Sequence, residues 1–310
     1  MTPAHPKTKP SRITLRGLGR VFRLALAGWW SDNVPRLGAS LAYYTLFALA
    51  PVLVIAIAIG GLIFGAEAVR GEIVGQIQGL LGREGAEAVQ AMLEGASRRS
   101  SSIAATVAGV VTFFLGATGA FLELQTALNA IWHVEPKHDG SYLRVLIMQR
   151  VISFGLVVAL GFLLVTSLLV SAALAAIQRY MGNAFPGVVV LWQALNLVVS
   201  LGVITLLFAM IYKTLPDVKL VWSDVWIGAL VTAGLFTIGK LLIGLYLGTT
   251  SITSTYGAAG SVIVILVWVY YSAQIILLGA EFTRAYVDEY GRRPRAEEFA
   301  EPSPTGASAP

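Results

Sequence analysis

Three ionisable side chains, Glu123, Lys240 and Glu281, fall inside long apolar stretches, accompanied by the amides Gln125, Asn129, Asn196 and Gln274. A charge at the centre of a bilayer costs about 2.5–3.5 kcal/mol on insertion scales, so such groups face the interior of a helix bundle. Two chemistries suit them. One is structural: ion pairs, and amides that join helices by hydrogen bonds. The other is a polar path for a proton, an ion or an amphipathic substrate. Depth narrows the pairing. At 1.5 Å per residue Glu123 lies about 30 Å, and Glu281 about 36 Å, from the outer start of its span, so both sit near the inner face. Arg36, Arg150 and Arg284 are the basic residues within reach there. Lys240 lies about 27 Å from the inner start of its span, in the outer half. It has no carboxylate at that depth, so it either snorkels outward or faces a wet cavity where a phosphate headgroup would meet it.

Other chemistries find little support. There are three histidines, His5, His133 and His138, and the stretch HVEPKHD offers no tight pair and no second ligand cluster for a metal. With no cysteine there is no disulfide, thiolate nucleophile or Cys-based metal site. No glycine-rich phosphate loop or nucleophile elbow appears, so neither an enzyme nor a cofactor is expected.

The elements that must carry these groups are membrane helices. The chain is 56% hydrophobic and only 13% charged over 310 residues, against about 25% charged in soluble domains. A span needs roughly 20 apolar residues, and six stretches qualify: 37–64, 103–131, 145–177, 188–212, 222–247 and 257–286. They form a membrane domain over 33–290, an all-α polytopic fold. Pro51 removes a backbone donor within the first span and marks a candidate kink. The small-residue pairs Gly61/Gly65 and Gly244/Gly248 read as close-packing surfaces.

Residues 1–32 form an N-terminal segment. In it Arg12, Arg16, Arg20 and Arg23 line one side of an amphipathic helix, with Leu15, Leu18, Phe22, Leu26 and Trp29 on the other. Such a helix lies flat on anionic lipids. Residues 66–100 carry two apolar stripes and read as two short surface helices. Residues 291–310, rich in charge and then in Pro, Ser and Ala, read as a disordered tail. Sixteen of the 22 Lys and Arg residues fall on the side of both termini and five on the other. The positive-inside rule therefore puts both ends in the cytoplasm.

The segments LAYYTLFALAPVL (41–53), ALNAIW (127–132), LPDVKLVWSDVWIGAL (215–230) and YGAAGSVIVILVWVYYSAQIILLGAEFTRAY (256–286) resemble the YihY/BrkB family of bacterial inner-membrane proteins, once mislabelled ribonuclease BN. The resemblance implies a six-helix protein of the bacterial inner membrane with both ends cytoplasmic. It also implies an envelope role, with links to serum resistance and proposed lipid transport. Three functions follow as expectations: a transporter of a lipid-like or other amphipathic substrate, a non-transporting scaffold for envelope integrity, or, least favoured, a ribonuclease. The expected partners are membrane lipids (anionic ones at the N-terminal helix), a second copy of the chain and envelope proteins, and not nucleic acid.

Overall fold

The computed structural model describes residues 15–98, 119–136, 189–249, 258–291, 295–297 and 300–303. Seven helices appear among them: α1 Leu15–Ser31, α2 Val34–Phe64, α3 Ala66–Arg98, α4 119–131, α5 Val189–Thr214, α6 Trp222–Thr249 and α7 Ala258–Tyr290. Four short strands accompany them: β1 Val134–Pro136, β2 Val218–Lys219, β3 Arg295–Ala296 and β4 Ala300–Pro302. Three of the described helices are long and apolar enough to cross a bilayer, over Leu197–Thr214, Trp222–Tyr246 and Val262–Tyr290. They answer to the last three expected spans, and the first expected span lies within α2. The expected span 145–177, the outer part of 103–131 and the ends of the chain lie outside the described residues.

The chain divides into two compact units. One holds residues 34–127 and 234–276. Here α2 ends at Gly65, whose φ of 86° suits a residue without a side chain. Its amide donates to Gly61 O at 3.0 Å, and α3 begins at once. Ala66 lies so near Gly61 that an added Cβ there would sit 3.0 Å from its Cα. Gly61 and Gly65 thus build a turn, not the helix seam expected of them.

Residues 66–98 are one helix rather than two surface helices. Gly79, Gly82 and Gly85 argue for a break, since each costs about 1 kcal/mol relative to alanine. Burial outweighs that cost. Val89 and Leu93 of α3 pack with Ile57 of α2 and Ile265 of α7, and Ile73 and Ile77 join the same core. The helix also runs unbroken through Pro51 of α2, whose side chain lies outside the described residues.

The other unit holds residues 1–33, 128–233 and 277–310. In its core α6 and α7 meet by reciprocal packing of small residues. Gly228 of α6 faces Thr283 of α7, and Gly279 of α7 faces Thr232 of α6, so each helix offers a glycine and a threonine four residues apart. Each threonine hydroxyl donates to the glycine carbonyl one turn earlier in its own helix, Thr232 to Gly228 O at 2.8 Å and Thr283 to Gly279 O at 2.7 Å. The Thr232 proton is thereby used, so the 3.0 Å contact with Tyr212 of α5 has the tyrosine as donor.

Helix α1 docks on this core through Val21 and Ala25, which meet Phe282, Ala285 and Tyr286. Phe22 and Leu26, on the expected apolar face, are exposed. The tail also differs from expectation: residues 295–297 and 300–303 are not loose. β3 pairs antiparallel with β2, and β4 with β1. Its run of charge and proline hid strands that complete the backbone hydrogen bonding of two loops. Ser303 seals the second pairing, donating from its amide to His133 O at 2.8 Å and from its hydroxyl to Glu135 Oε1 at 2.5 Å.

Candidate functional site

The ends of α1, α4 and α7 bring four polar side chains together within one unit. Helix α1 stops where Asn33 adopts a left-handed φ of 53°, and the preceding Asp32 turns inward. Helix α4 stops the same way at His133, also at 53°. From α7, Glu281 and Arg284 project one turn apart on the same face. The Arg284 Nη1 lies 2.8 Å from Asp32 Oδ2, 2.5 Å from the carbonyl of Ile131 and 3.1 Å from His133 Nε2. Its second nitrogen, Nη2, lies 3.0 Å from Glu281 Oε2.

Counting protons assigns the imidazole. Nη1 carries two hydrogens, and the two oxygens take them, so His133 Nε2 is not a third acceptor. Its ring hydrogen goes to Asp32, 3.4 Å away at Oδ1. Burial pushes the Asp32 carboxyl up, but the His133 hydrogen bond and the Arg284 charge together outweigh it and hold that carboxyl at about 2.

Glu281 is the group that packing does not explain. Its side chain is 0% exposed, and neither oxygen accepts a hydrogen bond, although Arg284 lies beside it. Gly28 of α1 closes over it so tightly that an added Cβ would strike Glu281 Oε2 and come within 2.8 Å of Arg284 Nη2. A carboxyl group wholly removed from water, with one guanidinium and the Asp32 carboxyl beside it, is expensive to keep ionised.

The other expected site residues are dispersed. Asn129 is buried, but its partner is Asp217: its amide donates to Asp217 Oδ2 at 2.7 Å and its Oδ1 accepts from the Asp217 amide at 2.8 Å. Asn196 lies on α5, its side chain outside the described residues. Glu123, Gln125, Lys240 and Gln274 belong to the second unit. There Glu123 is half-buried and Gln125 buried, and Gln274 lies against Gly38. Lys240 is exposed on α6, as are its neighbours Ile238, Leu241 and Leu242. Asp32, His133 and Asp217 were not among the expected site residues. Asp32 reads as a plain turn residue and Asp217 as part of a Pro-Asp turn, while His133 drew notice only as a poor metal ligand. Among the described residues no group of His, Asp and Glu could hold a metal ion.

A family model described as virulence factor BrkB matches residues 25–303. The chain belongs to the BrkB family. The match starts inside α1 at Ala25 and ends on Ser303, so the last turns of the docked helix and the C-terminal strands fall within the family region. Similar proteins are membrane proteins of the UPF0761 group. One from Ralstonia nicotianae is 30% identical over 271 residues, 86% of this chain and 58% of that protein. Those from Acinetobacter baylyi and Pseudomonas aeruginosa are 27% and 29% identical, over 82% and 81% of this chain. The chain spans less than two thirds of their length, 59% and 58% for these two. No solved structure matches.

Proposed function

We propose that this BrkB-family protein is a six-span protein of the bacterial inner membrane, with both termini cytoplasmic, that moves a lipid-like or other amphipathic substrate of the envelope. Glu281 carries the reading. A fully buried carboxyl group near the end of an apolar helix is retained for use more readily than for stability. Its role is to take up and release a proton or cation as the substrate moves. The topology draws support from the pairing of the C-terminal strands with the loops after α4 and α5, because α1, both loops and the tail then share one end of these helices.

The test is lipid movement in proteoliposomes, read as dithionite quenching of a fluorescent phosphatidylglycerol. Glu281→Gln keeps the side-chain shape, removes the charge and is expected to abolish or strongly slow a flux that the native protein supports. A native-like flux in that variant refutes the assignment.

A scaffold for envelope proteins is the second reading, favoured by the C-terminal strands that fasten two loops. It predicts stable co-purification of envelope proteins and no flux. A ribonuclease is the least supported, because His133 is engaged by Asp32 rather than by a ligand set. Metal-dependent RNA cleavage abolished by His133→Ala in the pure protein would be needed to revive it.

A further inference from the structure

Helix α1 docks with its small residues and presents its large ones outward. Val21 and Ala25 are fully buried against α7, and Gly28 lies over Glu281 and Arg284. Phe22, Leu26 and Trp30 are 41%, 44% and 75% exposed. At 3.6 residues per turn these three fall within about 80° of arc, roughly a third of the circumference away from the buried face. The next third carries Arg23, Arg16, Ala27, Arg20, Ser31 and, at its far edge, the exposed Leu24 in angular order, and α1 contains no acidic residue. Arg20 pairs with Glu289 of α7 at 3.2 Å, while Arg16 and Arg23 are exposed.

An ordinary amphipathic helix has two faces; this one has three. Three distinct media would match them: protein, hydrocarbon, and a layer rich in negative charge. Exposed tryptophans on the neighbouring helix agree. Helix α6 touches the α1 seam through Ile227 and Val231, and its first turns expose Trp222 and Trp226. Tryptophan concentrates where hydrocarbon meets headgroups.

We infer that α1 lies in the headgroup plane of one leaflet, with Phe22, Leu26 and Trp30 dipping into the acyl region and Arg16 and Arg23 holding anionic lipid phosphates. The occupant is the bilayer itself. A second copy of the chain would need a complementary acidic face, and a soluble partner would not explain tryptophans on both helices. This goes beyond the transport reading and does not depend on it.

The absence of cysteine makes the test clean, since single cysteines report without background. Spin labels are attached at Leu26→Cys, Trp30→Cys and Ala27→Cys in the full chain. It is reconstituted in vesicles of phosphatidylcholine alone or with phosphatidylglycerol. At 26 and 30, collision with oxygen is expected to exceed collision with a water-soluble nickel chelate, and at 27 the reverse. Phosphatidylglycerol is expected to shift 26 and 30 deeper, and Arg16→Gln with Arg23→Gln to remove that shift. Chelate access at 26 and 30 equal to that at 27 overturns the inference. So does spin–spin broadening between copies, which would assign the face to a second chain. An unchanged depth with phosphatidylglycerol overturns the assignment of anionic lipid.

Discussion

Replacing Gly228 by alanine puts one methyl group into the seam between α6 and α7. The new Cβ would lie 2.8 Å from Thr283 Cβ and 3.2 Å from Thr283 Cα, with the hydroxyl oxygen nearer still. A hydroxyl can rotate away, but a Cβ and a backbone carbon cannot, so the helices must part. Overpacking of this kind costs about 1–3 kcal/mol. Displacing the Thr283 hydroxyl from Gly279 O adds roughly 0.5–1.5 kcal/mol, and the better helix propensity of alanine returns about 1 kcal/mol. The net loss is about 1–3 kcal/mol. The measurement is the thermal midpoint of detergent-solubilised protein, followed by loss of the monodisperse species on gel filtration. Adding Thr283→Gly removes the clashing Cβ, so the double variant is expected to be more stable than the sum of the two singles, the coupling that marks direct contact. Gly202→Ala, at an exposed α5 position where a Cβ meets no described atom, serves as control and should be neutral or slightly stabilising. A Gly228→Ala protein as stable as the control, or strict additivity in the pair, would refute the packing argument.

Three further outcomes follow from the polar contacts. Arg284→Ala leaves Glu281 and Asp32 without their counter-charge and should cost about 3–5 kcal/mol, whereas Arg284→Ala with Glu281→Gln recovers part of it, both read as thermal midpoints. The Asp32 carboxyl, held at about 2 against an ordinary 3.8, contributes stability that is complete above about pH 4 and lost as pH falls toward 2. Asp32→Asn should therefore show a lower midpoint at neutral pH and a flatter acid profile; parallel profiles would disprove the link. Asn129→Ala withdraws two hydrogen bonds from buried Asp217 and should destabilise by about 1–3 kcal/mol, with faster proteolysis of the loop around β2.

Much of the helical frame was legible because long apolar runs end abruptly. α5 stops at Thr214, just before Leu215 and Pro216, and α6 starts at Trp222. The Glu281–Arg284 pair was within reach of sequence reasoning too, since three residues on one helix face fix their proximity. Their other partners were not. Asp32 stands 252 positions from Arg284 and His133 stands 151, and no local pattern encodes contacts of that range. The single helix at 66–98 was hidden by its glycines, whose cost is met by a core that only the folded chain provides. The docking face of α1 was not legible, because hydrophobicity marks large residues, whereas close approach to α7 selects small ones.

The pairing of Val134 with Pro302 and of Val218 with Ala296 orders the maturation of this protein in time. Ribosomes deliver β3 and β4 only after α1 to α7, so β1 and β2 wait with bare strand edges through most of synthesis. A chain that stalls or is clipped beyond α7 keeps those edges open. Such a product would reach the membrane carrying a built-in mark of incompleteness that chaperones and quality-control proteases are equipped to read.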